Sequence, residues 1–203
     1  MTKHIFSFLA LGDSYTVGEA VPLYESFPCQ TVQLLRKAGL HFYAPEIIAK
    51  TGWTTFELAE HILHTKLNEH YDFLTLLIGV NNQFRGLGLE DYKTDFEFLL
   101  RKAIHLAGEK SNHVIVLSIP DYGVTAFAKK MDPKKIAAAI DQFNEVNQKL
   151  SEQYKAHYIN ITESTRKAAN DPKSHASDGL HPSGKEYTRW AELLMKKISG
   201  LIK

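Results

Sequence analysis

Ser14, Asp178 and His181 carry the most chemical potential in this chain, although most of its length separates the first from the other two. A serine hydroxyl is a useful nucleophile only when an imidazole takes its proton and donors stabilise the resulting oxyanion. His181 lies in Asp178-Gly-Leu-His-Pro-Ser. An aspartate three residues before a histidine on a tight turn can bring its carboxylate to Nδ1, leaving Nε2 free to serve a nucleophile. Gly52 and Asn81 are candidate oxyanion donors, one through its backbone N–H and the other through its side-chain amide. Each residue also has an ordinary structural role open to it. Ser14 could be an N-cap or turn serine, Asp178 a turn cap, Gly52 a turn residue and Asn81 a loop cap.

What favours the chemical role is joint placement. Short apolar runs at Phe6–Leu11, His41–Ala49, Phe73–Ile78, Val114–Ile119 and Tyr158–Ile161 are candidate strands. The first, third and fourth are nearly continuous, as expected of parallel strands covered on both faces. Segments of helical period lie between them. Thr54-Thr-Phe-Glu57 and Ser183-Gly-Lys-Glu186 have the capping-box pattern, Asp132-Pro133 reads as an N-cap followed by proline, and Gly39 and Gly108 fall at expected helix stops. With no linker, charge block or repeat to divide it, the chain reads as one domain over residues 1–203. Five strand–helix units predict an α/β sandwich around a parallel sheet, with the flavodoxin-like order 2-1-3-4-5 expected. Open sheets of this kind bind ligands outside the carboxyl ends of their strands. Ser14, Gly52 and Asn81 follow strands one, two and three, and Asp178 and His181 come after strand five.

Phe8-Leu-Ala-Leu-Gly-Asp-Ser-Tyr, Gly52, Ile78-Gly-Val-Asn-Asn and Asp178-Gly-Leu-His-Pro resemble, in order, the sequence blocks of the GDSL esterase/lipase superfamily, the SGNH hydrolases. The serine, glycine, asparagine and histidine of that second name fall on Ser14, Gly52, Asn81 and His181. The resemblance spans residues 6–183. It implies a three-layer flavodoxin-like fold of five parallel strands and ester hydrolysis through an acyl-serine, with no cofactor and no metal. It further implies that Asp178 orients His181, and that the oxyanion is held by Ser14, Gly52 and Asn81. Two positions depart from the pattern. Tyr15 stands where the family usually has leucine, a change expected to affect packing. Asn82 stands where it usually has aspartate, so a hydrogen bond could survive there but a charge could not, which puts the support of that loop in question.

Composition bounds the partners. At 203 residues, 44% hydrophobic and 23% charged, this is an ordinary globular chain. A net charge of +1 leaves little to neutralise phosphates, so nucleic acid is not expected as a ligand. The single Cys29 excludes an internal disulfide and cysteine-based metal sites. His61 and His64 could share a helix face, but without a carboxylate trio they read as solvated surface histidines. Asn160-Ile-Thr162 is a formal glycosylation sequon in a presumed buried strand. No apolar run approaches the ~18 residues of a membrane span. The N-terminal stretch lacks a small-x-small cleavage site and reads as a lead-in to the first strand, so a cytoplasmic protein is expected.

A small ester is the expected partner, short-acyl because no segment is spare for a large lid. The loops Asn82–Leu89 and Asp121–Met131 should flank its pocket with Phe84, Arg85, Tyr122 and Phe127. Physiological substrate and oligomeric state are not legible. The alternative is a flavodoxin-like flavin- or nucleotide-binding module. The acids Asp13 and Glu19 lie near where its phosphate would sit, and argue against it.

Overall fold

The computed structural model describes residues 4–202; Met1–Lys3, part of the N-terminal lead-in, lie outside the described residues. Five parallel strands run in the order β2-β1-β3-β4-β5: β1 Phe8–Gly12, β2 Glu46–Ala49, β3 Phe73–Leu77, β4 Val114–Leu117 and β5 His157–Ile159. Among the described residues, eight α-helices connect and flank them: α1 Ser14–Val17, α2 Phe27–Lys37, α3 Thr55–His64, α4 Val80–Phe84, α5 Leu89–Leu106, α6 Pro133–Gln153, α7 Thr162–Lys167 and α8 Gly184–Leu201. The expected strand order is the observed one. It follows from right-handed crossovers that step first to one side of β1 and then always to the other. That reversal places α2 against α8 in one layer and runs α3, α5 and α6 in contact sequence in the other. Phe27 meets Trp190 at 6.1 Å between ring centroids in the first layer.

Burial explains which strands were easiest to recognise. Every residue of β1, β3 and β4 is buried, whereas the edge strands β2 and β5 are only half-buried. The edges are also where strand bounds differ from expectation. Of the run 41–49 only Glu46–Ala49 is strand, because Pro45 has no N–H to give a ladder; Phe42 makes a single isolated bridge to Phe6. β5 ends at Ile159, so Asn160 is exposed just beyond it and the sequon asparagine is not in a buried strand.

The helix signals are realised in most details. Thr54 and Glu57 form a reciprocal capping box at α3, and the Asp132 carboxylate accepts the N–H groups of Lys134 and Lys135 at α6. Gly39 and Gly108 adopt φ values of +86° and +65° just past α2 and α5. Ser183 caps α8, but Glu186 does not return the bond. Its buried carboxylate turns inward to the Ser164 hydroxyl, the Trp190 indole N–H and Arg189. Among the described residues, no helix is long and apolar enough to cross a membrane.

Candidate active site

Gly12 pairs with Ala49 and Leu77, so β1, β2 and β3 finish level with one another. The chain leaves β1 through Asp13, whose extended backbone and side chain cap α1: Oδ1 accepts the Tyr15 N–H at 3.0 Å. Ser14 is therefore the first residue of α1, where its own N–H has no intrahelical acceptor. Its hydroxyl is nearly buried and lies 3.0 Å from His181 Nε2.

The imidazole is held from its other side. His181 Nδ1 is 2.6 Å from Asp178 Oδ2, while Asp178 Oδ1 accepts the N–H groups of Leu180 and His181, each at 3.0 Å. Burial works against ionisation of Asp178, but the His181 ring and those two amides hold its carboxyl below the usual aspartate value. An ionised acceptor at Nδ1 assigns the proton to that nitrogen and leaves the Nε2 lone pair facing Ser14. The turn carrying both residues is fastened to its surroundings. Ala176 N–H donates to the His181 carbonyl at 2.8 Å, and Phe127 N–H donates to the Gly179 carbonyl at 3.0 Å. Tyr15, the first departure from the family pattern, is buried edge-on between His181 and Trp190, at 5.6 and 6.3 Å. It packs on both rings and also lines the cavity beside Ser14.

Gly52 and Asn81 reach the same place from neighbouring strands. Gly52 turns the chain after β2 at φ +85°, a left-handed conformation that favours glycine. Asn81 stands in the single helical turn α4, which Gly79 opens at φ +129°. A Cβ on Gly79 would come within 2.6 Å of the Tyr92 hydroxyl and 2.8 Å of Ile119 Cδ1, so only glycine lets β3 turn here. Asn81 Nδ2 donates one hydrogen to the Trp53 carbonyl at 2.9 Å and keeps a second. Asn82 supports this loop after all. Its Oδ1 accepts the Thr55 N–H at 3.0 Å and its Nδ2 donates to the Thr55 hydroxyl at 2.8 Å, while that hydroxyl donates to Asp95 at 3.1 Å. With Asp95 already the acceptor, an amide suits position 82, where a second carboxylate would crowd the same hydroxyl.

Ser14, Gly52, Asn81 and His181 line one cavity of about 150 Å³. Its apolar walls are Val80, Phe84, Tyr122, Phe127 and Leu180, with Phe84 5.8 Å from Tyr122 and 6.1 Å from Phe127 between ring centroids. Three of the four residues expected from the flanking loops are thus walls of the cavity. Arg85 is not; it turns back to the Gly52 carbonyl and Glu57. That link, between residues 28 and 33 positions apart, left no signal in the sequence beyond the Thr54–Glu57 capping box. A larger groove of about 710 Å³ along α5 holds no hydroxyl paired with an imidazole.

Asp13, beside Ser14, is not the imidazole's partner. Burial pushes its carboxyl from the ordinary 3.8 up to about 7, against the pull of the backbone N–H groups near it, and its Oδ2 is buried without a hydrogen-bond partner. The folded chain therefore binds a proton that the unfolded chain releases between about pH 4 and pH 7, and the ionised form costs stability above that window. Asp13→Asn keeps the capping oxygen and removes the charge. Its stability relative to wild type in urea titrations is expected to be higher at about pH 8 than at about pH 5, by on the order of a few kcal/mol. A difference that does not change with pH would show that burial of this charge costs nothing. Asp13 also occupies the Tyr15 amide, one that a phosphate bound after β1 would need.

Among the described residues, no group of three or more His, Cys, Asp or Glu side chains could hold a metal ion. His61 packs on Trp53 at 4.7 Å, and His64 lies 3.9 Å from Glu60.

Comparison with known proteins gives a consistent picture. The model of the GDSL-like lipase/acylhydrolase family matches residues 10–189. No curated protein matches the chain. Similar solved structures include a lipase/acylhydrolase from Enterococcus faecalis, 19% identical, covering 97% of this chain and 96% of that one with a TM-score of 0.75. An acetylxylan esterase from Geobacillus stearothermophilus is 18% identical over 97% and 95% of the two chains, with a TM-score of 0.75. A psychrotrophic esterase from Pseudoalteromonas sp., in a structure inhibited by monoethylphosphonate, is 16% identical over 97% and 96%, with a TM-score of 0.67. At these identities the structural likeness speaks for the fold.

Proposed function

The chain belongs to the GDSL-like lipase/acylhydrolase family of carboxylic ester hydrolases, and from that premise we propose that Ser14, His181 and Asp178 form its catalytic triad, with Ser14, Gly52 and Asn81 as the oxyanion hole. The observation that carries this reading is the unbroken chain of short contacts, 3.0 Å from Ser14 Oγ to His181 Nε2 and 2.6 Å from His181 Nδ1 to Asp178. Ser14 Oγ attacks the ester carbonyl as its proton passes to Nε2. The C–O double bond becomes a single bond to an oxyanion, held by the N–H groups of Ser14 and Gly52 and by the second Asn81 amide hydrogen. As the tetrahedral centre collapses, the bond to the leaving alkoxide breaks and His181 gives its proton to that oxygen, leaving an acyl-serine. Water then attacks the acyl carbon in the same way, His181 takes its proton, and Ser14 recovers a proton as the acid departs. Asp178 stabilises the imidazolium at each stage without taking the proton.

Cavity size supports a short acyl group. The modest cavity beside Ser14, about 150 Å³, favours an acetyl or butyryl group over a fatty chain. Phe84, Tyr122 and Phe127 would enclose it.

A fluorophosphonate tests the reading directly, because its phosphorus takes the place of the attacked carbonyl carbon. Mass mapping after treatment is expected to find one stable adduct, on Ser14. Hydrolysis of p-nitrophenyl esters is expected to be fastest from acetate to butyrate and to fall steeply towards palmitate. An unmodified Ser14 in active protein would overturn the assignment of the nucleophile.

A further inference from the structure

Three side chains of one short segment fasten the loop that carries Gly52. Asn81 holds the Trp53 carbonyl, Asn82 holds the Thr55 N–H, and Arg85, the C-cap just beyond α4, donates through Nη2 to the Gly52 carbonyl. The other arm of the Arg85 guanidinium lies 3.3 Å from Glu57 Oε2. That same carboxylate oxygen accepts the Thr54 N–H at 2.8 Å and the Thr54 hydroxyl at 2.9 Å. Arg85 therefore ties the peptide at Gly52 to the cap of α3.

The N–H of that same peptide, on Trp53, closes a turn onto the Lys50 carbonyl at 3.2 Å, and Arg85 holds its oxygen. Chain neighbours aside, the only atom among the described residues within 4 Å of a Cβ built on Gly52 is Arg85 Nη2, at 3.6 Å, so no packed side chain limits rotation on that side. Glycine at positive φ is also the residue with the most backbone freedom to lose. An oxyanion donor works only if its N–H is already aimed when charge develops. A planar guanidinium with a fixed fork of donors can restrain two acceptors at once, which a single ammonium cannot do with the same geometry. As an exposed ion pair, Arg85–Glu57 adds little to global stability, so its effect is expected on the loop.

We propose that Arg85 is a positioning residue for ester hydrolysis: it holds the Gly52 carbonyl so that the Gly52 N–H points at the oxyanion, a role that rests on reading Gly52 as an oxyanion donor. The clamp persists into mild acid. Burial favours the neutral Glu57, but the Thr54 N–H and hydroxyl together with Arg85 hold its carboxyl below the ordinary value of 4.5.

The test uses Arg85→Met, which keeps the stem and removes the donors, and Arg85→Lys, assayed on the uncharged p-nitrophenyl acetate. In Arg85→Met, kcat is expected to fall about 10- to 100-fold with KM within about twofold, the scale of a misplaced catalytic group. Asn81→Ala, which deletes a donor outright, sets the upper mark at about 10²–10³-fold. Arg85→Lys is expected to recover part of the loss. Trp53, the neighbour of Gly52, is expected to become more open to acrylamide quenching in Arg85→Met, while the fully buried Trp190 contributes a constant background. A kcat within about twofold of wild type, a loss confined to KM, or unchanged quenching would each overturn the clamp. A KM effect would instead make Arg85 a substrate-binding cation. If Ser14 of the wild type resists fluorophosphonate, the assignment of the nucleophile fails, and the quenching measurement alone still decides whether Arg85 orders the loop.

Discussion

Ser14→Ala is expected to lower kcat by at least about 10⁴-fold while the protein still folds, the scale seen when a nucleophile is removed from a triad that works as a unit. The hydroxyl is nearly buried, and its bond to His181 Nε2 is the side-chain hydrogen bond that the substitution removes. Deleting it leaves a small void and an imidazole nitrogen that a water can satisfy. The stability cost is expected to be about 1 kcal/mol, a shift of about 2–4 °C in Tm for a chain of this size. Circular dichroism melting and steady-state hydrolysis of p-nitrophenyl acetate, measured on the same preparation, separate the two effects. The fluorophosphonate adduct should vanish with the hydroxyl. A variant that hydrolyses within about tenfold of wild type, or that still takes up the phosphonate, would show that another group is the nucleophile.

Asp178→Asn is expected to be the second most damaging change, for a different reason. The asparagine carbonyl can keep accepting the Leu180 and His181 N–H groups, so the turn should persist. What changes is the group facing Nδ1. A carboxylate accepts from Nδ1–H and fixes the tautomer whose Nε2 is a base. An amide nitrogen in its place donates, which favours a proton on Nε2, where it is useless against Ser14. It also removes the negative charge that stabilises the imidazolium. A fall in kcat of about 10²–10⁴-fold with KM little changed is expected, with Tm within about 3 °C of wild type. A fall of less than about threefold would remove Asp178 from the mechanism. Running Asp13→Asn in parallel discriminates the two aspartates, because Asp13 caps α1 and does not touch the imidazole.

Much of the fold could be read from local sequence, because parallel strands buried on both faces are continuous apolar runs. β1, β3 and β4 are buried along their whole length and lay within the expected bounds to one or two residues. The edges were harder to read. β2 begins only after Pro45, and β5 ends before Asn160, because an edge strand is defined by which neighbour it pairs with rather than by its own pattern. The Ser183–Glu186 pair shows a similar limit. Its spacing fits a capping box, but a buried cluster of Ser164, Arg189 and Trp190 competes for the same carboxylate and holds it.

Local sequence was enough to tell which residue types follow β1, β2 and β3. A strand end is a local event, and the Gly-Asp-Ser, Thr-Gly-Trp and Val-Asn-Asn stretches are local signals; Asp-Gly-Leu-His lies beyond α7, well past β5, and is a turn signal of its own. That Ser14 and His181, 167 residues apart, lie within hydrogen-bonding distance comes from the folded arrangement of the strands. The tertiary structure alone decided that Arg85 turns away from the cavity to the Gly52 carbonyl, and that Asn82 shares Thr55 with Asp95. The reason is that directional contacts between distant segments depend on strand order and crossover hand, which set three strand ends level. Periodicity records which face of an element is apolar, and carries no information about which polar atoms then meet across the crevice.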